Sequence, residues 1–345
     1  MKRLARFNKI ALALNVFFAL LLVLAYVSIH VPATTIPYLA PLGLGTPIWL
    51  TVNLLFAVYW LIARKKRFLL SLIPVVFSYF TLGGFFKIKL SEYEINEEDL
   101  TVLSYNAQGF NKYGRIYGEG NVGDSIISFT KRKSPDIICF QEFSHRYHEL
   151  LDQYPYSYVS NSKIDGFKKS VLGVFSKYPI IAEGNLKFPN SFNMGVYADI
   201  TYKNDTIRVY SLHMESMGVT PNKETIIDEP YLRLYGRLRG AFRKQQEQAE
   251  IFNGLQENNS YKTIVCGDFN NTQFSNPYRL IKGDMQDTFN EKGKGLGSTY
   301  SFLGFPFRID FILADPAFEV RAHKNYNLPF SDHFPIMASF RLKEQ

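Results

Sequence analysis

"KTIVCGDFNN" (residues 262–271) is the stretch on which the reading of this chain turns. It begins as a run of β-branched and apolar side chains, the composition of a buried strand. It ends abruptly in Asp268 and Asn270. Taken alone, that ending is ordinary, because Asp and Asn start turns and cap helices through their short polar side chains. Its meaning depends on whether other strands end the same way.

They do. "LTVLSYN" (100–106), "DIICFQ" (136–141), "SVLGVFS" (170–176), "VYADITY" (196–202), "TIRVYSLH" (206–213), "RIDFILA" (308–314) and "PIMASFRL" (335–342) are strand-like by the same criterion. "VGDSIISFTKRK" (122–133), "SHRYHELLDQ" (144–153) and a long stretch near 230–256 have helical patterning. The alternation predicts an α/β domain over residues 100–345. Asn106 ends the first strand, Glu142 follows the second and His213 ends the fifth. Asp310 lies within "RIDFIL", and Asp332 and His333 open the last strand. If these strands share one sheet edge, the polar residues converge on a single rim, where α/β folds collect their ligands.

The residue types point to a chemistry. Glu142, Asp310, Asp332 and Asn106 are hard oxygen donors of the kind that Mg²⁺ or Ca²⁺ prefers. Clustered His and Cys, which zinc would need, are too few. His213 and His333 are candidates for proton transfer, with Asp beside one of them to orient it. No G-x-S-x-G, Walker A or G-x-G-x-x-G motif is present, so acyl transfer, NTP hydrolysis and dinucleotide binding lose their usual support. A hard cation with Asp/His pairs suits hydrolysis of a phosphoester.

The net charge of +8 does not indicate a nucleic-acid partner. Residues 1–86 carry eight basic residues (Lys2, Arg3, Arg6, Lys9, Arg64, Lys65, Lys66, Arg67) and no acidic one. Beyond them, 31 basic residues balance 31 acidic ones. The same segment is strongly apolar. Spans of about 10–29, 45–63 and 68–86 predict three transmembrane helices, each near the length a bilayer core requires. "MKRLARFNK" and "RKKR" are separated by two of the spans. The positive-inside rule therefore puts both in the cytoplasm and delivers the later domain to the outer side. Residues 87–99 read as a juxtamembrane connector. Cys139 and Cys266 sit in apolar runs as small hydrophobes, not as a disulfide framework.

"LSYNAQGF", "DIICFQEF", "GVFSKYPI", "SLHMES", "VCGDFNN", "RIDFIL" and "SDHFPI", in that order, resemble the endonuclease/exonuclease/phosphatase superfamily, from about residue 100 to 342. The resemblance implies a four-layer α/β sandwich of two mixed β-sheets flanked by helices, with the site at one rim. It implies that Glu142 is the main Mg²⁺ ligand (Mn²⁺ or Ca²⁺ being alternatives), assisted by Asn106, with Asp332 in or next to the metal's shell. Asp310 would orient His333, which would act as base toward water or sit against the scissile phosphate. Asp268 and Asn270 would position the nucleophile and a phosphate oxygen, and His213 would act on the leaving-group side. Gln108 stands where the repair-nuclease branch tends to have an acid, and that branch usually lacks a histidine at the place of His213. Both departures speak against abasic-site repair.

Arg233, Arg237, Arg239, Arg243 and Lys244 lie in an acid-free stretch, 230–246, that reads either as a phosphate-attracting face or as a solvated helix face. Arg239 and Arg243 are the candidate substrate contacts. The expected substrate is a phosphodiester, nucleic acid first and a phospholipid headgroup second. The second option covers sphingomyelinase-like or phosphoinositide phosphatase activity. A non-catalytic, membrane-tethered binding module is the reading from another class. Nothing in the sequence calls for an obligate protein partner.

Overall fold

A computed structural model describes residues 2–82, 86–88, 99–112, 114, 116, 121–164, 166–219 and 229–343. The twelve strands that matter form two six-stranded mixed sheets. The first contains β1 (Leu100–Asn106), β2 (Ile137–Gln141), β3 (Tyr156–Val159), β6 (Gly173–Ser176), β15 (Phe318–Asn325) and β16 (Ile336–Leu342), in the order β15-β16-β1-β2-β6-β3. The second contains β7 (Ile180–Lys187), β8 (Met194–Tyr202), β9 (Asp205–His213), β10 (Lys262–Asp268), β11 (Gln286–Asp287) and β14 (Asp310–Ala314), in the order β11-β14-β10-β9-β8-β7. Two small hairpins, β4/β5 (Lys163–Ile164, Phe167–Lys168) and β12/β13 (Tyr300–Phe302, Phe305–Phe307), lie outside them.

The two-residue period of a strand explains the stacking. In β1, Leu100 and Val102 point into a core shared with Ile264 and Cys266 of β10 and Val196 of β8. Leu103 and Tyr105 point the other way, against Ile126 and Phe129 of the helix Val122–Lys133. On the far side of the second sheet, Tyr210, Val265 and Phe311 pack against Ala249 and Phe252 of the long helix Tyr231–Gln256 and Ile281 of Asn276–Lys282. The central strands are therefore apolar on both faces, and a layer order of helix, sheet, sheet, helix follows. Cys139 and Cys266 are free thiols buried in the inter-sheet core.

Gly267 has φ +151°, and a Cβ there would stand 2.0 Å from the Leu212 carbonyl oxygen. Only glycine lets β10 pass β9 this closely just before Asp268.

The N-terminal segment forms α1 (Lys2–His30), a turn at Ala40–Gly45, α2 (Thr46–Ile62) and α3 (Phe68–Leu82). Its polarity is inverted relative to the sandwich. Ile10, Leu14, Phe17, Leu55 and Leu61 face outward, while Asn15, Asn53 and Ser71 are fully enclosed. Asn15 donates to Ser71 Oγ and accepts from Trp60 Nε1 at 2.9 Å, and Ser71 donates to Asn53 Oδ1 at 3.0 Å.

Several expectations are corrected. Among the described residues two helices, Arg6–His30 and Ala40–Ile62, are long and apolar enough to cross a membrane, not three. The third, Phe68–Leu82, has 15 residues with Pro74 inside it. At 1.5 Å per residue those 15 described residues span about 22 Å, against a bilayer core of roughly 30 Å. Residues 83–85 and most of the 87–99 connector lie outside the described residues. The stretch 144–153 is two 3₁₀ turns, His145–Tyr147 and Glu149–Leu151. Tyr147 and Leu151 are its buried anchors, too few to hold a longer helix.

Candidate active site

Strand register builds the site. Asp268 pairs with His213 across the parallel β9/β10 ladder and with Asp310 across the antiparallel β10/β14 ladder. Three adjacent strands thus end in titratable side chains at one level. In the other sheet, Asn106 pairs with Gln141, and Glu142 follows directly. Stacking brings the two rims together. Asn106 Nδ2 donates to Asp268 Oδ2 at 2.9 Å, and Gln141 Nε2 donates to Ser211 Oγ at 2.9 Å.

His333 arrives between the sheets on the loop before β16. Its Nδ1 is 2.9 Å from Asp310 Oδ2, and its Nε2 is 3.7 Å from Asp268 Oδ2. His213 Nε2 is 3.6 Å from Asp268 Oδ2 and 3.9 Å from Glu142 Oε1, and its Nδ1 is 3.0 Å from Ser170 Oγ. Asn270 N donates to Asp268 Oδ1 at 2.8 Å. Asn106, Glu142, His213, Asp268, Asn270, Asp332 and His333 all line one cavity of about 520 Å³, and Asp310 stands behind His333. Gln108, Glu142 and Asn270 hold φ near +50°, a conformation rare for residues with side chains and typical of functional sites.

The environments of the two histidines differ. Burial alone would depress His333, but Asp310 and then Asp268 outweigh it and hold the imidazole well above its ordinary range. Burial depresses His213, with Asp268 opposing only in part. Burial pushes Asp268 up to about 6, against the pull of His333. The result is one cationic imidazole, one neutral imidazole and, between them, a carboxylate whose proton affinity is raised toward neutral pH.

Arg239 and Arg243 are not part of this assembly. The Arg239 guanidinium lies 4.7 Å over the Tyr38 ring, and Arg243 pairs with Glu247 at 3.2 Å on an exposed face. Arg237 and Lys244 are likewise paired, with Glu229 and Glu215. The acids stand just outside the acid-free stretch, or far from it in sequence, so the reading of a free basic face does not carry over to the fold.

Four residues that the sequence did not single out hold the others in place. Ser170 partners His213, and Ser331 donates to the Asn106 carbonyl at 2.8 Å and accepts from His333 N. Thr299 accepts from Asp310 N at 3.0 Å. The Tyr300 ring packs on His333 with centroids 4.9 Å apart. A lone hydroxyl in a loop gives no signal in a single sequence.

Two stacked mixed sheets with a crowded Asp/His/Asn rim define an α/β sandwich with its site at the strand ends. The family model described as "Endonuclease/Exonuclease/phosphatase family" matches residues 103–333, and the chain belongs to that family. Residues 8–85 match a domain of unknown function, DUF8431. No curated protein matches the chain. Among solved structures, an endonuclease/exonuclease/phosphatase family protein from Bacteroides thetaiotaomicron is similar at TM-score 0.53 and 19% identity, over 71% of this chain and 98% of that one. TDP2 of D. rerio, complexed with a single-strand DNA product, gives 0.53 and 15%, over 71% and 100%. The human Nocturnin catalytic domain, with bound sulfate, gives 0.54 and 14%, over 73% and 97%. At these identities the likeness is one of fold.

Proposed function

We propose that this chain is a membrane-anchored, divalent-metal-dependent phosphodiester hydrolase. The observation that carries the proposal is the single register of His213, Asp268 and Asp310, completed by the 2.9 Å bond from His333 to Asp310.

Charge argues for the cation. Glu142, Asp268, Asp310 and Asp332 crowd a rim where one imidazole is held cationic, an unfavourable place for an anionic phosphodiester without a bridging cation. The donors suit a hard ion. Gln108 Oε1 is buried with no hydrogen-bond partner among the described residues, and it lines the cavity together with Asn106 and Glu142. Asp268, Asp310 and His333 also have donor atoms within 4.8 Å of one another. The His333–Asp310 hydrogen bond already joins that pair through a proton, so we assign the ion to Glu142 and Asn106, with Asp332 beside them. Bound there, Mg²⁺ or Mn²⁺ would neutralise phosphate charge and acidify a water.

The protein's own groups then divide the work. Asp310 accepts the Nδ1 proton of His333 and fixes the ring, so that the cationic imidazole faces a phosphate oxygen. Asp268, near 6, is matched to take a proton from the attacking water at neutral pH. Asn270 and Asn106 hold the Asp268 carboxylate in place. Neutral His213, oriented by Ser170, presents Nε2 to the leaving-group side. The expectation that His333 is the base gives way here to its other expected place, against the phosphate.

The bundle's apolar exterior supports the membrane anchor. The Ile29 carbonyl at the end of α1 is bonded to the sandwich, while Arg64–Arg67 lies at the opposite end of α2. With the basic ends cytoplasmic, the sandwich falls on the outer side. The test is hydrolysis by the full chain of a chromogenic diester, oligonucleotides and phospholipid vesicles, in Mg²⁺ and in EDTA. Equal rates for wild type and His333→Ala on every substrate would end the catalytic reading in favour of a binding module.

A further inference from the structure

We infer that the N-terminal helical unit forms one wall of the substrate cavity, and that this wall takes the alkyl chain of a lipid phosphodiester. The inference rests on the hydrolase reading above and adds the substrate class and a role for the segment of unknown function.

The cavity has two characters. Part of its lining is the Asp/His/Asn cluster. Another part is Leu44, Met217, Leu234, Leu238, Phe302 and Phe307. Leu44 comes from the turn between α1 and α2, Leu234 and Leu238 from the long helix, and the phenylalanines from the β12/β13 hairpin. No Lys or Arg lines the cavity among the described residues. A nucleic-acid strand depends on such cations along its backbone, and Arg237, Arg239, Arg243 and Lys244 of the neighbouring helix are already paired or stacked. An apolar chain needs none, and each methylene buried against such a wall gains roughly fourfold in binding.

The junction that brings Leu44 to the cavity is built into the structure. Asn276 Nδ2 and Arg279 Nε donate to the Ile29 carbonyl at 2.7 and 3.3 Å, capping α1 from the sandwich. Tyr235 Oη donates to the Tyr38 carbonyl at 2.6 Å, and Phe242 packs with Ala33 and Ala40. Gly43 approaches so closely that a Cβ would stand 2.2 Å from the Phe274 carbonyl oxygen. The wall is continuous with helices whose outer faces are apolar, so an amphiphile in the same layer can extend its phosphoester to the cluster.

The test uses the full chain in nanodiscs with p-nitrophenyl alkyl phosphodiesters from methyl to hexyl, in Mg²⁺. The expected result is a kcat/KM that rises at least tenfold from methyl to butyl. Leu44→Glu should flatten that rise, and Leu44→Met should keep it. A flat series in wild type, a Leu44→Glu series parallel to wild type, or an oligonucleotide cleaved in preference to the hexyl diester would each overturn the inference. If no diester is cleaved, the hydrolase reading fails instead. The wall is then read by thermal shift with hexyl- against methylphosphonate. A larger shift for hexyl that Leu44→Glu removes supports it, and equal shifts overturn it.

Discussion

The N-terminal bundle and the rim of the sandwich both bury polar side chains, and they do so in opposite ways. In the bundle, Asn15, Ser71, Asn53 and Trp60 are neutral and satisfy one another. At the rim, carboxylates and imidazoles are packed together, and three acceptor oxygens, Gln108 Oε1, Gln141 Oε1 and Asp310 Oδ1, have no partner among the described residues. The first arrangement is complete without a ligand and specifies how three helices meet. The second has unmet electrostatic demand, as a preorganised site does before its ligand arrives. Buried polarity alone therefore does not mark a site. Uncompensated charge beside a cavity is the better sign.

The sharpest way to break this contrast is to remove one group from each region and compare rate with stability. His333→Ala should lower kcat/KM by roughly 10²- to 10⁴-fold, the range for a positioned proton-transfer group. Asp310→Asn should lower it nearly as far, because the imidazole loses its counter-ion. Thermal unfolding of both variants should still be cooperative. If either variant keeps wild-type turnover, the rim is structural and the contrast with the bundle collapses.

Metal removal tests the unmet demand directly. EDTA should abolish turnover. Restoring Mg²⁺ to about a hundred times its dissociation constant should add roughly 2.7 kcal/mol of stability by mass action. Glu142→Gln should lose most of that gain, while Asn15→Leu should keep it. A thermal shift on adding Mg²⁺ that is the same in Glu142→Gln and wild type would move the ion elsewhere.

How much of this was legible beforehand follows the same division. Asp268, Asp310, His213 and His333 could be read because each interrupts an apolar run, and strand pairing then placed them side by side. β7 and β15 were not read as strands. They are sheet edges whose charged residues, such as Glu183, Glu319 and Arg321, blur the alternation. The partners of the basic stretch of the long helix could not be read, because Glu215, Glu229 and Glu247 lie outside it in sequence. The polar network of the bundle was invisible, since Asn15, Asn53 and Ser71 each read as noise in an apolar helix until three helices face each other.

That network makes the next prediction. Asn15→Leu leaves Trp60 Nε1 without its partner in an apolar interior and removes one of the two partners of Ser71 Oγ, at a cost of about 1–3 kcal/mol. Replacing Asn15, Ser71 and Asn53 together by apolar residues of similar volume should recover much of that stability, because no polar group is then stranded. Detergent-solubilised thermal unfolding reads both variants, and turnover on a soluble diester should be unchanged in each. A triple variant less stable than the single one would show that the network contributes stability of its own, beyond specifying the helix contacts.

The smallest effect belongs to Ser170, which ties the two kinds of burial together. It is a neutral, satisfied hydroxyl, like those of the bundle, but its partner is His213 of the rim. As a positioning residue it acts only through that ring. Ser170→Ala should therefore leave the metal-induced stabilisation intact and reduce kcat roughly tenfold, the equivalent of about 1.4 kcal/mol in the transition state. KM should change little, because the phosphate-facing groups are untouched. The loss should shrink for diesters with good leaving groups such as p-nitrophenolate, which need little help from His213. Ser170→Thr keeps the hydroxyl and should recover most of the rate. If Ser170→Ala instead raises KM with kcat unchanged, or slows good and poor leaving groups alike, His213 does not serve the leaving group. The division of labour between the two histidines would then have to be redrawn.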